Sequence, residues 1–376
     1  PTVDEFAGMN AFIDDPMHIL EVAGIIREYH EFTWDQGDTL TEYEGKYPNT
    51  KAKFNPSYAG GGWDFDTYYK NLHEKGIVVS PCIQGSPVWM VGSYANRGNK
   101  PVDDDEDPCD PASYIEHADH LFQYVARYGS KKVDDSLLKL AEDQKRLSGL
   151  GYIKYIENWN EPDNWWSGPK NHFKPEHLAA MSSADYDGHL GSLGNTVGVK
   201  NADPDVKLVL GGLAKFDLDY IRAIKKWSDE NRNGSFPADV INFHHYCIDI
   251  DGGISPEEDM YKEKLFKLAA YRDLHLPGKE LWISEFGYDT HPKSRYTSYT
   301  EQNQANWLIR GYLAQTAARV DRSMMYMVRD VDSDDKTQFS TSGLVTEKGR
   351  WEPKLSWYYL YTFRNALKNM VFDAEI

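Results

Sequence analysis

The chain has 376 residues, 40% of them hydrophobic and 14% aromatic, with 41 basic against 59 acidic side chains for a formal charge of −18. Such a balance argues against a phosphate-rich nucleic acid or an anionic membrane surface as partner, and no apolar run reaches the roughly 20 residues that span a bilayer. Cys82, Cys109 and Cys247 are odd in number and far apart, which suggests neither a disulfide framework nor a Cys-x-x-Cys metal site.

In chain order, eight segments read as strands: "FAGMNAF" from Phe6, "GIIREYHEF" from Gly24, "GIVVSPCI" from Gly76, "GYIKYIENW" from Gly151, "VKLVLGG" from Val206, "DVINFHHYC" from Asp239, "ELWISEFG" from Glu280 and "RSMMYMV" from Arg322. Helical stretches alternate with them. Ser113 with Glu116, Ser255 with Glu258 and Ser298 with Glu301 have the spacing of capping boxes. After Ser298, Ala305, Leu308, Ile309, Tyr312, Leu313, Thr316, Ala317 and Val320 recur at steps of three and four, predicting one buried helix face.

Eight strand-helix units close most economically as a (β/α)8 barrel, although an open doubly wound sheet gives a similar alternation. Long segments follow the strands, at Thr33 to Gly62, Gln84 to Ala112 and Arg329 to Pro353, whereas connections entering strands are short, as in "SGLG" before Tyr152. That asymmetry favours the barrel, whose active sites are built at the C-terminal ends of its strands. Residues 1–368 are expected to form the barrel, and 369–376, ending in "MVFDAEI", to begin an accessory β domain of a longer secreted, periplasmic or cell-surface protein. No Gly-x-Gly-x-x-Gly follows the first strand and no Walker loop is present, so a nucleotide cofactor has no residues to support it.

The stretch "IENWNEPDNWW", Ile156 to Trp166, crowds carboxylates and tryptophans together. Glu161 follows the fourth strand and Glu285 closes the seventh, which places both at strand tops. Two carboxyl groups flanking a sugar linkage perform glycoside hydrolysis, one protonating the leaving oxygen and the other attacking the anomeric carbon. Flat rings at Trp34, Trp63, Trp89, Trp165 and Trp166 suit the apolar C–H faces of a sugar, and Trp159 is a further candidate, while Trp282 and Trp307 read as packing residues. Glu157 alternates onto the side of Trp159 and reads as a structural interior acid.

On these residues the chain resembles glycoside hydrolase clan A, the retaining (β/α)8-barrel glycosidases, over nearly its whole length. The resemblance implies Glu161 of Asn160-Glu161-Pro162 as acid/base and Glu285 as nucleophile. It further implies Arg27 on strand two as support for the nucleophile, and His244 with Tyr246 as the His-x-Tyr after strand six. Asn160 would bond the sugar 2-OH, and Tyr326 stands where the clan places an aromatic after strand eight. The segments "FDTYYKNLHEKGIVVSPCI" and "TSGLVTEKGRWEPKLSWYYLY" are similar to family 39, and an agarase or porphyranase type such as family 86 also fits. The implied function is retaining hydrolysis of β-linked polysaccharide or oligosaccharide, endo-acting, with an exo-acting β-xylosidase-like enzyme or a non-catalytic carbohydrate-binding barrel as alternatives.

Such a mechanism needs no cofactor and no metal. "FHHYC" cannot by itself supply a catalytic metal site. The acidic runs "DDDEDPCD" from Asp103 and "RDVDSDD" from Arg329 lack the EF-hand pattern, since Asp335 and Thr341 stand where Gly and Glu are required. They read as solvated loops.

Overall fold

The computed structural model describes residues 1–36, 47–48, 53–57 and 63–373. Much of the loop expected from Thr33 to Gly62, and the tail 374–376 of the expected accessory segment, lie outside the described residues. Each of the eight expected strand segments contains a strand: β1 (Ala7–Ala11), β2 (Ile25–Glu31), β3 (Val78–Gln84), β4 (Tyr155–Glu157), β5 (Lys207–Val209), β6 (Val240–His244), β7 (Glu280–Glu285) and β8 (Arg322–Met325). They join in sequence order into a closed parallel barrel. The longer helices are α1 (Phe65–Glu74), α2 (Ile115–Tyr128), α3 (Pro175–Asp187), α4 (Leu218–Asn231), α5 (Tyr261–His275), α6 (Glu301–Ala317) and α7 (Leu355–Leu367). One follows each strand except β1, after which a single turn, Met17–Leu20, takes the helix position.

The chain divides into two compact units, Pro1–Glu28 with Glu74–Val78 and Ile241–Ile376, and Tyr29–His73 with Val79–Val240. In the first, β1 pairs with β2 through Met9 and Ile26 and with β8 through Gly8 and Met324. Leu281, Trp282 and Ile283 of β7 are fully buried. Tyr312 on α6 fixes the outer layer: its ring meets Phe286 at 4.9 Å and Phe363 of α7 at 6.0 Å, while its hydroxyl donates to the Gly8 carbonyl at 2.5 Å.

The face of α6 differs in detail from the periodic reading. Leu313 is exposed, and Gln304, Gly311 and Gln315 share the buried face with Ala305, Leu308, Tyr312 and Ala317. Buried amides are tolerable because they find partners: Gln304 donates to the Tyr288 carbonyl at 2.9 Å and Gln315 to the Tyr261 hydroxyl at 2.9 Å. The three expected capping boxes are also revised. Thr300 caps α6, because the Ser298 hydroxyl serves the Asp289 carbonyl instead. Ser255 and Glu258 do exchange the reciprocal bonds of a box, but over a turn that precedes α5. Ser113 donates to the Asp107 carbonyl, and Asp110 caps the short turn leading to α2.

In the second unit β4 pairs with β3 through Glu157 and Cys82, and with β5 from Tyr155 to Glu157. Alternation along β4 behaves as expected. Asn158 faces outward and donates to Ser182 at 3.0 Å and Asp185 at 2.9 Å on α3, while buried Glu157 accepts the Gly212 amide at 2.9 Å. Gly211 lets the top of β5 approach β4, for a Cβ there would lie 2.8 Å from the Trp159 carbonyl oxygen. Both acidic runs are tied to the protein. Asp104 pairs with Lys170 at 2.7 Å, Asp107 and Asp110 accept backbone amides of their own turns, and buried Asp330 meets buried Lys354 at 2.6 Å. Among the described residues no helix is long and apolar enough to cross a membrane.

Candidate active site

Glu285 is the last residue of β7 and only 5% exposed. Burying a carboxylate is costly unless its oxygens are engaged, and both are. Arg27, fully buried on β2, donates to one oxygen at 2.9 Å, and the Tyr246 hydroxyl donates to the other at 2.8 Å. Both bonds favour the ionised carboxylate and fix its rotamer.

The supports are themselves held. Arg27 also donates to Asn10 Oδ1 at 3.0 Å, and Asn10 in turn donates to the carbonyls of Ser284 at 2.9 Å and Met325 at 3.2 Å. Asn10 thus ties β1, β2, β7 and β8 together around one guanidinium. His244 lies with Nε2 3.0 Å from the Ser284 hydroxyl and Nδ1 3.6 Å from the Glu285 carboxylate. The Tyr246 ring packs against Tyr296 at 4.9 Å and Phe339 at 5.0 Å, and Tyr326 meets Phe339 edge-on at 5.2 Å. Of the expected residues, Arg27, His244 and Tyr246 are therefore gathered on Glu285, and Tyr326 joins their aromatic wall.

His245 points elsewhere. Its Nε2 is 2.7 Å from Asp259, and His245, Cys247 and Asp259 bring ligand-type atoms within 4.8 Å of one another. Lys264 donates to Asp259 at 2.8 Å, so a positive charge already serves this cluster. Burial opposes ionisation of Asp259, but the bonds from His245 and Lys264 outweigh it and hold the carboxyl below its ordinary range.

In the second unit, β4 ends at Glu157 and the chain runs through Trp159 and Asn160 into Glu161. Asn160 bridges to Gly212, and the Glu161 amide donates to the Gly212 carbonyl at 3.0 Å. Glu161 sits at φ +44°, a left-handed conformation that costs a non-glycine residue energy and concentrates at functional sites. The turn is braced by Asp163, which accepts the Ala214 amide at 2.8 Å, and by the Pro162 carbonyl, which accepts from Phe173 at 2.8 Å. Glu161 and Asn160 are half-buried.

The tryptophans divide. Trp165 and Trp166 are 69% and 55% exposed on the loop behind Glu161, their rings 6.0 Å apart at a steep angle. Trp34 is half-buried beside His30 and Phe65, and Trp63 is exposed. Trp89 departs from the expectation of a stacking platform, being buried against Phe32. Trp159 likewise packs on Phe173 at 5.4 Å. Trp282 is buried, as expected, and donates to Glu280 at 2.8 Å.

Sequence reasoning missed Asn10, Ser284 and the wall residues Tyr296 and Phe339. It also missed a polar cavity of about 390 Å³ whose lining includes Glu31, Gln84, Arg97, Trp159, Asn160 and Asn164. A polar residue at the centre of "GMNAF" was the one local signal for Asn10; the others carry none.

No protein-family model and no curated protein matches the chain. Solved structures do resemble it. A family 39 glycoside hydrolase from the gut symbiont Bacteroides cellulosilyticus WH2 is 16% identical, with a TM-score of 0.62 over 99% of this chain and 66% of its own. A glucosidase from Croceicoccus marinus is 13% identical, with a TM-score of 0.62 over 97% of this chain and 67% of its own. A β-glucuronidase from Faecalibacterium prausnitzii is 15% identical, with a TM-score of 0.53 over 99% of this chain and 50% of its own. The chain spans between half and two thirds of the length of these proteins. At these identities the likeness is one of fold.

Proposed function

We propose that this chain is a retaining glycoside hydrolase that cleaves β-glycosidic bonds within a polysaccharide or oligosaccharide by double displacement. The observation that carries this reading is Glu285, a buried strand-top carboxylate with one oxygen on Arg27 and the other on Tyr246. Ionised Glu285 attacks the anomeric carbon while Glu161 gives its proton to the departing oxygen. Water then transfers a proton to Glu161, its oxygen bonds the anomeric carbon, and the bond to Glu285 breaks with net retention. Retention requires the two carboxyl groups about 5 to 5.5 Å apart. Asn160, next to Glu161, is assigned the sugar 2-OH, and His244 supports the nucleophile. The exposed pair Trp165 and Trp166 supports binding of an extended chain on the loop behind Glu161. For a polymeric substrate the proposed location is outside the cytoplasm: secreted, periplasmic or at the cell surface.

A 2-fluoro glycoside with a good leaving group tests the assignment. Fluorine slows both steps and the leaving group rescues only the first, so the covalent adduct accumulates. Mass spectrometry should find it on the peptide containing Trp282 to Gly287, and NMR should show retained configuration in the first product. An inverted product refutes double displacement. Chromatography of polysaccharide digests separates internal cleavage, expected here, from release of single sugars.

A further inference from the structure

We infer that the polar cavity at the tops of β2, β3 and β4 is the subsite that selects the sugar, and that Glu31, Gln84 and Arg97 make it select a neutral sugar ring through its hydroxyl groups. The inference rests on the glycosidase reading and names the substrate class for it.

Three strand ends build the cavity. Glu31 is the last residue of β2, Gln84 the last of β3, and Trp159 and Asn160 follow β4. Its volume of about 390 Å³ falls in the range of small-molecule sites. Gln84 Nε2 donates to Glu31 Oε1 at 3.1 Å, and Arg97 Nε lies 3.9 Å from Glu31 Oε2. Arg97 is in turn laid over the Tyr94 ring, 4.4 Å from its centre. The backbone makes room for this arrangement at Gly85. It has φ +72°, and a Cβ there would stand 1.9 Å from Glu31 Oε2.

The chemistry follows from charge and hydrogen-bond type. Among the described residues Arg97 is the cation that lines the cavity, and it lies 3.9 Å from Glu31 Oε2, so the carboxylate of a uronic acid entering there would face the like charge of Glu31. Hydroxyl groups fit every member. A carboxylate accepts from sugar O–H groups, while the amides of Gln84, Asn160 and Asn164 and the guanidinium of Arg97 donate to sugar oxygens. Adjacent hydroxyls on one ring can use both functions at once, and a site built to bond a hydroxyl rejects the analogue lacking it by a large factor.

The test compares 4-nitrophenyl β-glycosides of neutral sugars (glucose, galactose, xylose) with the glucuronide and galacturonide, and includes mono-deoxy analogues of the best neutral substrate. The expected result is a best neutral substrate exceeding both uronides by at least about 100-fold in kcat/KM. Glu31→Gln should lose about 100-fold on that substrate and also lose the wild-type discrimination against one deoxy analogue, with Tm unchanged. Gln84→Ala and Arg97→Ala should each lose about tenfold by the same route. A merely structural role would lower activity on the parent and deoxy substrates equally. Preference for a uronide, or Glu31→Gln and Glu31→Ala both retaining wild-type discrimination, overturns this assignment while leaving the hydrolase reading intact. Absence of turnover on every aryl glycoside and of cleavage in every polysaccharide digest, with no label on Glu285, overturns the glycosidase reading and this assignment with it.

Discussion

Replacing Tyr246 by Phe removes a single O–H from the site and leaves its packing in place. The hydroxyl donates to Glu285 at 2.8 Å, whereas the ring is held by Tyr296 and Phe339 at 4.9 and 5.0 Å, contacts that phenylalanine keeps. A hydrogen bond to an ionised group contributes roughly 1.5 to 3 kcal/mol. Converted at about 1.4 kcal/mol per decade, that is a loss of roughly 10 to 150-fold in kcat/KM when the bond serves the reacting carboxylate. Arg27 still holds the other oxygen at 2.9 Å, so activity should be reduced rather than abolished. Removing a donor from the charged form also makes Glu285 easier to protonate, and the acid limb of the pH–rate profile should move to higher pH. Steady-state kinetics on an activated aryl glycoside between about pH 4 and 8, with thermal unfolding alongside, measures both effects. Unchanged kcat/KM, or a loss that follows a large fall in Tm with no movement of the acid limb, would refute the role given to Tyr246.

Glu161→Ala should be slow on substrates with poor leaving groups yet still be glycosylated by activated ones, and azide should accelerate its turnover; equal loss on both substrate types would remove Glu161 from the acid/base role. Protein stripped of metal by exhaustive chelation should keep full activity, because two carboxylates suffice for the chemistry; activity lost and then restored by zinc or manganese would overturn the mechanism. Glu116 supplies a stability prediction. Burial first, then Asp103, Glu106 and Asp119, push its carboxyl up to about 8, and its Oε1 has no hydrogen-bond partner among the described residues. Its folded pKa lies above the unfolded one, so its contribution to stability is complete below the unfolded value of about 4.3 and is lost as pH rises through 8. Glu116→Gln should match the wild type near pH 4 and exceed it by a few kcal/mol near pH 9; urea denaturation curves with the same pH dependence for both proteins would contradict this.

Features that depend on neighbours a few residues away were legible in the order of the amino acids. Alternating apolar segments marked all eight strands, long segments could be seen to follow several of them, and Glu161 and Glu285 stood out because each ends or follows a strand segment. Side-chain direction along β4 was legible for the same reason, since a period of two places Asn158 outward and Glu157 inward. Features that depend on partners remote in the chain emerged only on folding. Arg27 reaches Glu285 across 258 positions and Asn10 reaches the Ser284 carbonyl across 274, distances over which no local pattern operates. Competition for hydrogen bonds moved the α6 cap from Ser298 to Thr300, because Ser298 serves a loop carbonyl that only the folded chain brings near it. Apolar spacing placed Leu313 inside, but buried Gln304 and Gln315 took that face once their amides found partners on other elements. The cavity of Glu31, Gln84 and Arg97 is the clearest case: polar residues far apart in sequence line one space only because the parallel sheet sets the ends of β2, β3 and β4 side by side.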